Sequence, residues 1–185
     1  MDETDDHVKD RSLAGDPAAF IELFRRHGPA VHAYLARRAG RQEADDLLSD
    51  VWLRAFKGRT SLLGSNALPW LYGIARNVLF AHWRQSRTTP ITLGLLDSID
   101  PWPAADNRVD AIAQRESIRR VLAMLHEDER EVLLLVVWEQ LTPAEVASML
   151  GLPQGTARSR LHRALSTFRR EFNSSPLICS NPKEA

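Results

Sequence analysis

LTPAEVASMLGLPQGTARSRLHRALSTF, residues 141–168, reads as two short helices joined by a tight turn. Thr142 is placed to cap the first helix, Pro143 suits its first position, and Glu145 completes a Thr-x-x-Glu capping box. Val146, Ala147 and Leu150 carry the apolar side of that helix. Gly151 then offers the left-handed residue on which helices end, and Leu152-Pro153 leads into the second helix without a long loop. These are helix-turn-helix proportions. With about 100° between successive residues, Ala157, Leu161, Ala164, Leu165 and Phe168 fall on one side of the second helix, and Arg158, Ser159, His162 and Arg163 on the other. Residues 154–170 hold five arginines and no acid, so the polar side is able to approach phosphates and present forked donors to guanine edges in a major groove. A solvated basic helix is the plainer alternative; the capped helix and glycine turn ahead of it favour DNA recognition.

Lys and Arg total 24 and Asp and Glu total 24, so the chain is neutral overall, which argues against a generic nucleic-acid coat. The neutrality conceals segregation, because basic and acidic segments alternate along the chain. Cys179 is the single cysteine, leaving no intrachain disulfide and no cysteine-based zinc site, and a reducing cytoplasm fits best. The acidic start MDETDDHVKD has no apolar stretch, and no segment approaches eighteen consecutive apolar residues, so neither secretion nor membrane insertion is expected.

Residues 1–12 are expected to be frayed, with little to bury. Asp16-Pro17 opens a helix whose apolar positions Phe20, Leu23, Phe24, Val31, Tyr34 and Leu35 follow helical spacing, with Gly28-Pro29 expected to kink or interrupt it. His27 and His32 flank that point, but their spacing is poor for a metal and packing or surface roles fit better; no metal site and no cofactor is predicted. After Gly40, a helix opens with Glu43, Asp45 and Asp46 in its first turn and buries Leu47, Leu48, Val51, Trp52, Ala55 and Phe56. Its other side carries Asp46, Asp50, Arg54 and Lys57, where Asp50 and Arg54 are spaced to pair; that side is either solvated or a docking surface. Residues 58–66 form a loop containing Arg59. A helix over 67–87 follows, with Trp70 and Trp83 as aromatic surface, and residues 70–89 hold no acid. Arg76, Asn77, His82, Arg84 and Arg87 are therefore candidates to face a nucleic-acid backbone, against the simpler reading of tryptophans in a core.

Residues 88–110 carry Pro90, Pro101 and Pro103 and acids at 97, 100, 106 and 110 against one arginine, the composition of a linker. Beyond it, Ile112, Ile118, Val121, Leu122 and Leu125 mark one helix, and HEDERE opens another that runs through VLLLVVWEQ towards Thr142. The expected fold is all-α: two small helical domains, 13–87 and 110–172, joined by a flexible acidic linker at 88–109, with the helix-turn-helix in the second.

This arrangement resembles the extracytoplasmic-function sigma factors of bacterial RNA polymerase, over about residues 14–170. Asp16-Pro17-Ala18-Ala19-Phe20 looks like the family's opening helix, and residues 44–52, ADDLLSDVW, like the helix that docks on polymerase. Residues 69–77, PWLYGIARN, look like the minus-10-reading segment, and residues 155–164, GTARSRLHRA, like the minus-35-reading helix. Ser49 stands where the docking motif usually has glutamine, and the loop before Trp70 lacks a phenylalanine common in relatives.

The resemblance implies a non-enzymatic promoter-specificity subunit whose partners are core RNA polymerase, duplex minus-35 DNA and melted minus-10 DNA, and it makes an anti-sigma protein plausible. Carried over by position, Asp46, Leu47, Ser49, Asp50 and Arg54 would bind polymerase. Arg59, Ser61, Ser65, Asn66, Arg76, Asn77 and Arg84 would serve the minus-10 element. Gln154, Thr156, Arg158, Ser159, Arg160, His162 and Arg163 would serve minus-35. The competing readings are a stand-alone dimeric helix-turn-helix regulator, which leaves the docking helix unexplained, and a metal-dependent hydrolase, which lacks ligand spacing and any nucleophile-base pair.

Overall fold

The structure, a computed structural model, describes residues 4–62, 66–86 and 109–173. Among them are eight α-helices and one 3-10 turn, with no strand: α1 (Asp5–Leu13), α2 (Pro17–Ala39), α3 (Arg41–Lys57), the turn Arg59–Ser61, α4 (Leu68–Ser86), α5 (Val109–Met124), α6 (Glu127–Val137), α7 (Pro143–Leu150) and α8 (Gln154–Asn173). The chain divides into two compact units, one mainly of residues 1–91 and one mainly of residues 92–185. The acidic linker expected at 88–109 and the tail with Cys179 lie outside the described residues, apart from Val109 at the start of α5.

In the N-terminal unit, α2, α3 and α4 pack against one another through the positions that the helical spacing selected. Leu23, Val31, Leu35, Val51, Leu71 and Leu79 are all at most 2% exposed, and Tyr34 and Tyr72 stack obliquely with centroids 5.0 Å apart. Asp16 caps α2, its Oδ1 accepting from the Ala18 amide at 2.9 Å. α2 runs unbroken through Gly28-Pro29, so the interruption that was one of the two expected outcomes does not occur. Proline deprives only one carbonyl, on the preceding turn, of its partner, and burial of Val31, Tyr34 and Leu35 just beyond it outweighs that loss. α3 starts at Arg41, so Glu43 alone is in its first turn and Asp45 and Asp46 fall in the second.

The larger correction concerns residues 1–12. Residues 5–13 form α1, which packs on α2, with Val8 fully buried and Asp5 only 6% exposed. The Asp5 carboxylate accepts from His27 Nε2 and from the Ala67 amide, both at 2.8 Å, and from Arg26 Nη1 at 3.3 Å. Burial pushes its pKa up, but the bonds from His27, Ala67 and Arg26 outweigh burial and hold it below the ordinary carboxylate value. Acid-rich composition misled here because these partners are 21 to 62 residues away.

In the C-terminal unit, Leu122, Leu125, Leu133, Leu134 and Ala164 form a core against which Ile118, Trp138, Leu161, Leu165 and Phe168 pack. Ile112 lies among residues whose side chains are not described. α6 stops at Val137, short of Gln140, which takes a left-handed φ of 56° and donates its side-chain amide to the Val137 carbonyl at 2.6 Å. No glycine signals that stop. Arg130 is 7% exposed and gives hydrogen bonds to the carbonyls of Leu122, Ala123 and Leu125 at 2.7, 3.2 and 2.8 Å. It thereby supplies donors at the end of α5, where the last helix carbonyls lack intrahelical partners and only that of Leu122 is also met by a nearby amide, from Leu125 at 3.3 Å.

Candidate nucleic-acid interface

The helix-turn-helix is built from the local signals described for residues 141–168. The Thr142 amide donates to Glu145 Oε2 at 2.8 Å and the Glu145 amide donates to Thr142 Oγ1 at 3.3 Å, a reciprocal capping box. At the other end of α7, Gly151 has φ 66°, its amide donates to the Ser148 carbonyl at 3.3 Å, and the Leu152 amide donates to the Ala147 carbonyl at 2.8 Å. This pair of bonds is a Schellman turn, and it fixes the exit angle of the chain. Pro153 then offers its carbonyl to the amides of Thr156 and Ala157, starting α8.

α8 divides as its sequence requires. Ala157 and Ala164 are fully buried, while Gln154, Arg158, Ser159, His162 and Arg163 are exposed and Thr156 is half-buried. The arginines are not equivalent. Arg160 Nη2 lies 2.7 Å from Asp128 Oδ2, and Arg163 Nε lies 2.7 Å from Glu129 Oε1. Both acids are in the first turn of α6. Arg158 and His162 are exposed and have no hydrogen bond or ion pair among the described residues, so both are available to a ligand. Ser159 Oγ is occupied by the Thr156 carbonyl at 3.0 Å.

The second group of candidates lies on the turn at 59–61 and on α4. Arg59 donates from Nη1 to the Phe56 carbonyl at 2.7 Å, with its guanidinium 4.3 Å from the Phe56 ring centre. Ser61 Oγ donates to the Gly58 carbonyl at 2.7 Å and accepts from Trp70 Nε1 at 3.2 Å. Asn66 Oδ1 accepts from the Leu68 amide at 3.0 Å at the start of α4, and Ser65 lies outside the described residues. Farther along α4, Asn77 and Arg84 are exposed and Arg76 stacks 4.5 Å over the Phe80 ring. Trp83, expected as aromatic surface, is 9% exposed and belongs to the core.

On α3, Asp46, Ser49, Asp50 and Arg54 are exposed, and Asp50 and Arg54 form no ion pair despite their spacing. Leu47, grouped with them as a contact residue, is 5% exposed and packs inward; its place on the apolar stripe is what decides this. Leu53 and Phe56, at 53% and 46% exposed, extend the face and were not singled out. Leu53 lies seven residues from Asp46, two helical turns along the same side. Phe56 is the outer edge of an aromatic cluster, 5.1 Å from Phe20, which is itself 5.7 Å from Trp52. In the C-terminal unit, a cavity of about 370 Å³ is lined entirely by apolar side chains, among them Leu122, Leu133, Val137, Trp138 and Phe168.

Among the described residues, no three His, Cys, Asp or Glu side chains converge to hold a metal, and no helix is long and apolar enough to cross a membrane. His27 bonds Asp5, and His32 Nε2 lies 3.1 Å from Asp45 Oδ1.

Residues 23–89 match the family Sigma-70 region 2, and residues 115–168 match Sigma-70, region 4. The chain is 33% identical over 161 residues to the ECF RNA polymerase sigma factor SigM of Mycobacterium tuberculosis, spanning 85% of this chain and 79% of that protein. It is 32% identical over 162 residues to the RNA polymerase sigma factor CarQ of Myxococcus xanthus, spanning 86% and 92%. Its fold is shared with CnrH, solved in complex with the cytosolic domain of CnrY, at a TM-score of 0.64 and 20% identity over 94% of this chain and 99% of that one. With the sigma factor RpoE of Bartonella quintana, solved with the anti-sigma factor NepR, the TM-score is 0.59 at 23% identity over 84% and 98%. The ordered motifs, the helix-turn-helix and these relatives together place the chain in the extracytoplasmic-function group of the sigma-70 family, RNA polymerase sigma factors that direct promoter recognition.

Proposed function

We propose that the two units divide promoter recognition in the cytoplasm: α8 reads duplex DNA at minus 35, and the turn at 59–61 with α4 holds melted minus-10 bases while α3 docks on core RNA polymerase. The observation that carries this reading is the exposed Arg158, Ser159 and His162 face of α8, delivered by a capped helix and a Schellman turn. Asp46, Asp50 and Arg54, flanked by exposed Leu53 and Phe56, support docking, since an acidic face with an apolar edge suits a basic helical partner. The apolar cavity beside Phe168 offers a second seat, for a polymerase helix or for an anti-sigma protein. Bond making stays with the polymerase.

Two tethered weak sites gain affinity through effective concentration when both are held at fixed spacing, which polymerase binding would impose. The free protein should therefore bind DNA poorly. Run-off transcription by sigma-free core polymerase on a fragment library from the source genome, with and without this chain, tests the reading. Discrete new transcripts that share upstream motifs are expected. With an active cognate core, absence of transcripts together with tight binding of the free chain to a palindrome would favour a stand-alone dimeric regulator. Arg158→Ala should cost about 1 to 3 kcal/mol at minus 35 if the side chain reaches a base edge, with weaker use of the recovered promoters as the readout.

A further inference from the structure

Two hydrogen bonds from α1 reach opposite ends of the same short segment. Lys9 Nζ donates to the Leu62 carbonyl at 3.3 Å, at the close of the turn that carries Arg59 and Ser61. Asp5 Oδ2 accepts from the Ala67 amide at 2.8 Å, one residue before α4 begins. Leu62 and Ala67 are 1% and 0% exposed, so both ends are buried where α1 grips them. Lys9 is itself held by Asp6 at 2.7 Å, and Asp5 is braced by His27 and Arg26, both on α2. Asp5 is thus tied to α2 by polar contacts, and Lys9 is oriented by a neighbour on α1 itself, contacts that fix direction as well as distance.

We propose that α1 is a positioning element for the minus-10 face, with Asp5 and Lys9 as positioning residues that set the spacing of the Leu62 and Ala67 stems. This rests on the reading of Ser61, Asn66 and Asn77 as minus-10 residues. Neither Asp5 nor Lys9 touches DNA in this scheme. A capture site for an unstacked base depends on its walls being held in place before the base arrives, because ordering them afterwards would be subtracted from binding. Asp5 fixes the amide end directly beside Asn66, whose own side chain caps Leu68. Lys9 fixes the carbonyl end, next to Ser61 and the Trp70 indole that bonds it. Loosening either stem should blur the choice between bases.

The test uses holoenzyme assembled from core polymerase and the full chain, on the strongest promoter recovered by run-off transcription. Each non-template base of the melted segment is changed in turn to the other three, and open complexes are quantified for wild type, Asp5→Asn, Asp5→Ala and Lys9→Met. A purely structural defect lowers all templates together and leaves the ratio between bases unchanged. In Asp5→Ala the preference at the most discriminating position should fall by about three- to tenfold, the size of one lost hydrogen bond, with co-elution on core retained. Asp5→Asn keeps an acceptor for the Ala67 amide and should fall between, and Lys9→Met should shift the ratio in the same direction. If Asp5→Ala does not fold, Lys9→Met and Asp5→Asn decide the matter. Unchanged ratios in variants that fold and bind core overturn the proposal alone. If wild type shows no base preference anywhere in the segment, the minus-10 reading falls and the proposal falls with it.

Discussion

Each unit buries one charged side chain to finish a helix it does not belong to, and the two do so with opposite signs. Asp5 receives the Ala67 amide at the start of α4, where free N–H groups gather positive potential. Arg130 gives to three carbonyls at the end of α5, where the potential is negative. Their surroundings differ. Asp5 has the Arg26 guanidinium and the His27 ring beside it, and its carboxyl titrates below the ordinary value. Burial draws the Arg130 guanidinium below the ordinary arginine value, with Glu127 opposing the shift. Arg130 therefore closes a corner within adjacent elements, five to eight residues away, whereas Asp5 ties the chain terminus to a segment 62 residues on.

Arg130→Met keeps much of the stem but removes the guanidinium donor from three carbonyls, of which only that of Leu122 keeps another partner, the Leu125 amide. It should destabilise the C-terminal unit by about 3 kcal/mol, seen as faster amide exchange through α5 and α6 with α2 and α3 unchanged. Equal loss in both units would mean that the two corners are not independent. Asp5→Ala should cost about 2 kcal/mol, confined to α1 and the start of α4, with the Ala67 amide losing protection. Its pH dependence sharpens the contrast. Because the folded pKa of Asp5 is lowered, its contribution is complete above the unfolded value of about 4 and is lost as pH falls through the folded value. Wild type and Asp5→Asn should thus converge in stability on acidification, while Arg130, charged throughout, gives no such convergence.

Smaller effects come from exposed counterparts. Thr142→Ala removes a solvent-facing cap and should cost about 1 kcal/mol, read from urea unfolding of the C-terminal unit. Glu129→Gln breaks an ion pair whose arginine is 57% exposed, so stability should move by less than about 1 kcal/mol. Release of Arg163 should nonetheless strengthen weak binding of the chain to random duplex DNA at low salt, and no change there would make the Glu129 contact irrelevant to the DNA face.

Much of this was legible in the chain because its causes are local. The capping box at Thr142, the left-handed Gly151, the Asp16 cap and the apolar spacing of α2, α3 and α8 involve residues within about two turns of one another. The faces proposed for docking and for DNA follow from the same periodicity, and Leu47, 5% exposed, lies on the apolar stripe beside polar neighbours that point outward. Gln140 was missed because a left-handed residue that is not glycine carries no compositional sign.

By itself, the sequence determined the all-helical fold, the helix-turn-helix and the polar face of α8, since hydrogen bonds within a few residues and helical spacing suffice to specify them. Packing between distant parts of the chain makes residues 5–13 a packed helix, brings Arg130 to the end of α5, and engages Arg160 and Arg163 with Asp128 and Glu129 but not Arg158. A charge is assigned its role by whichever opposite charge or unpaired backbone group the fold brings to it, and partners that distant in sequence leave no local pattern.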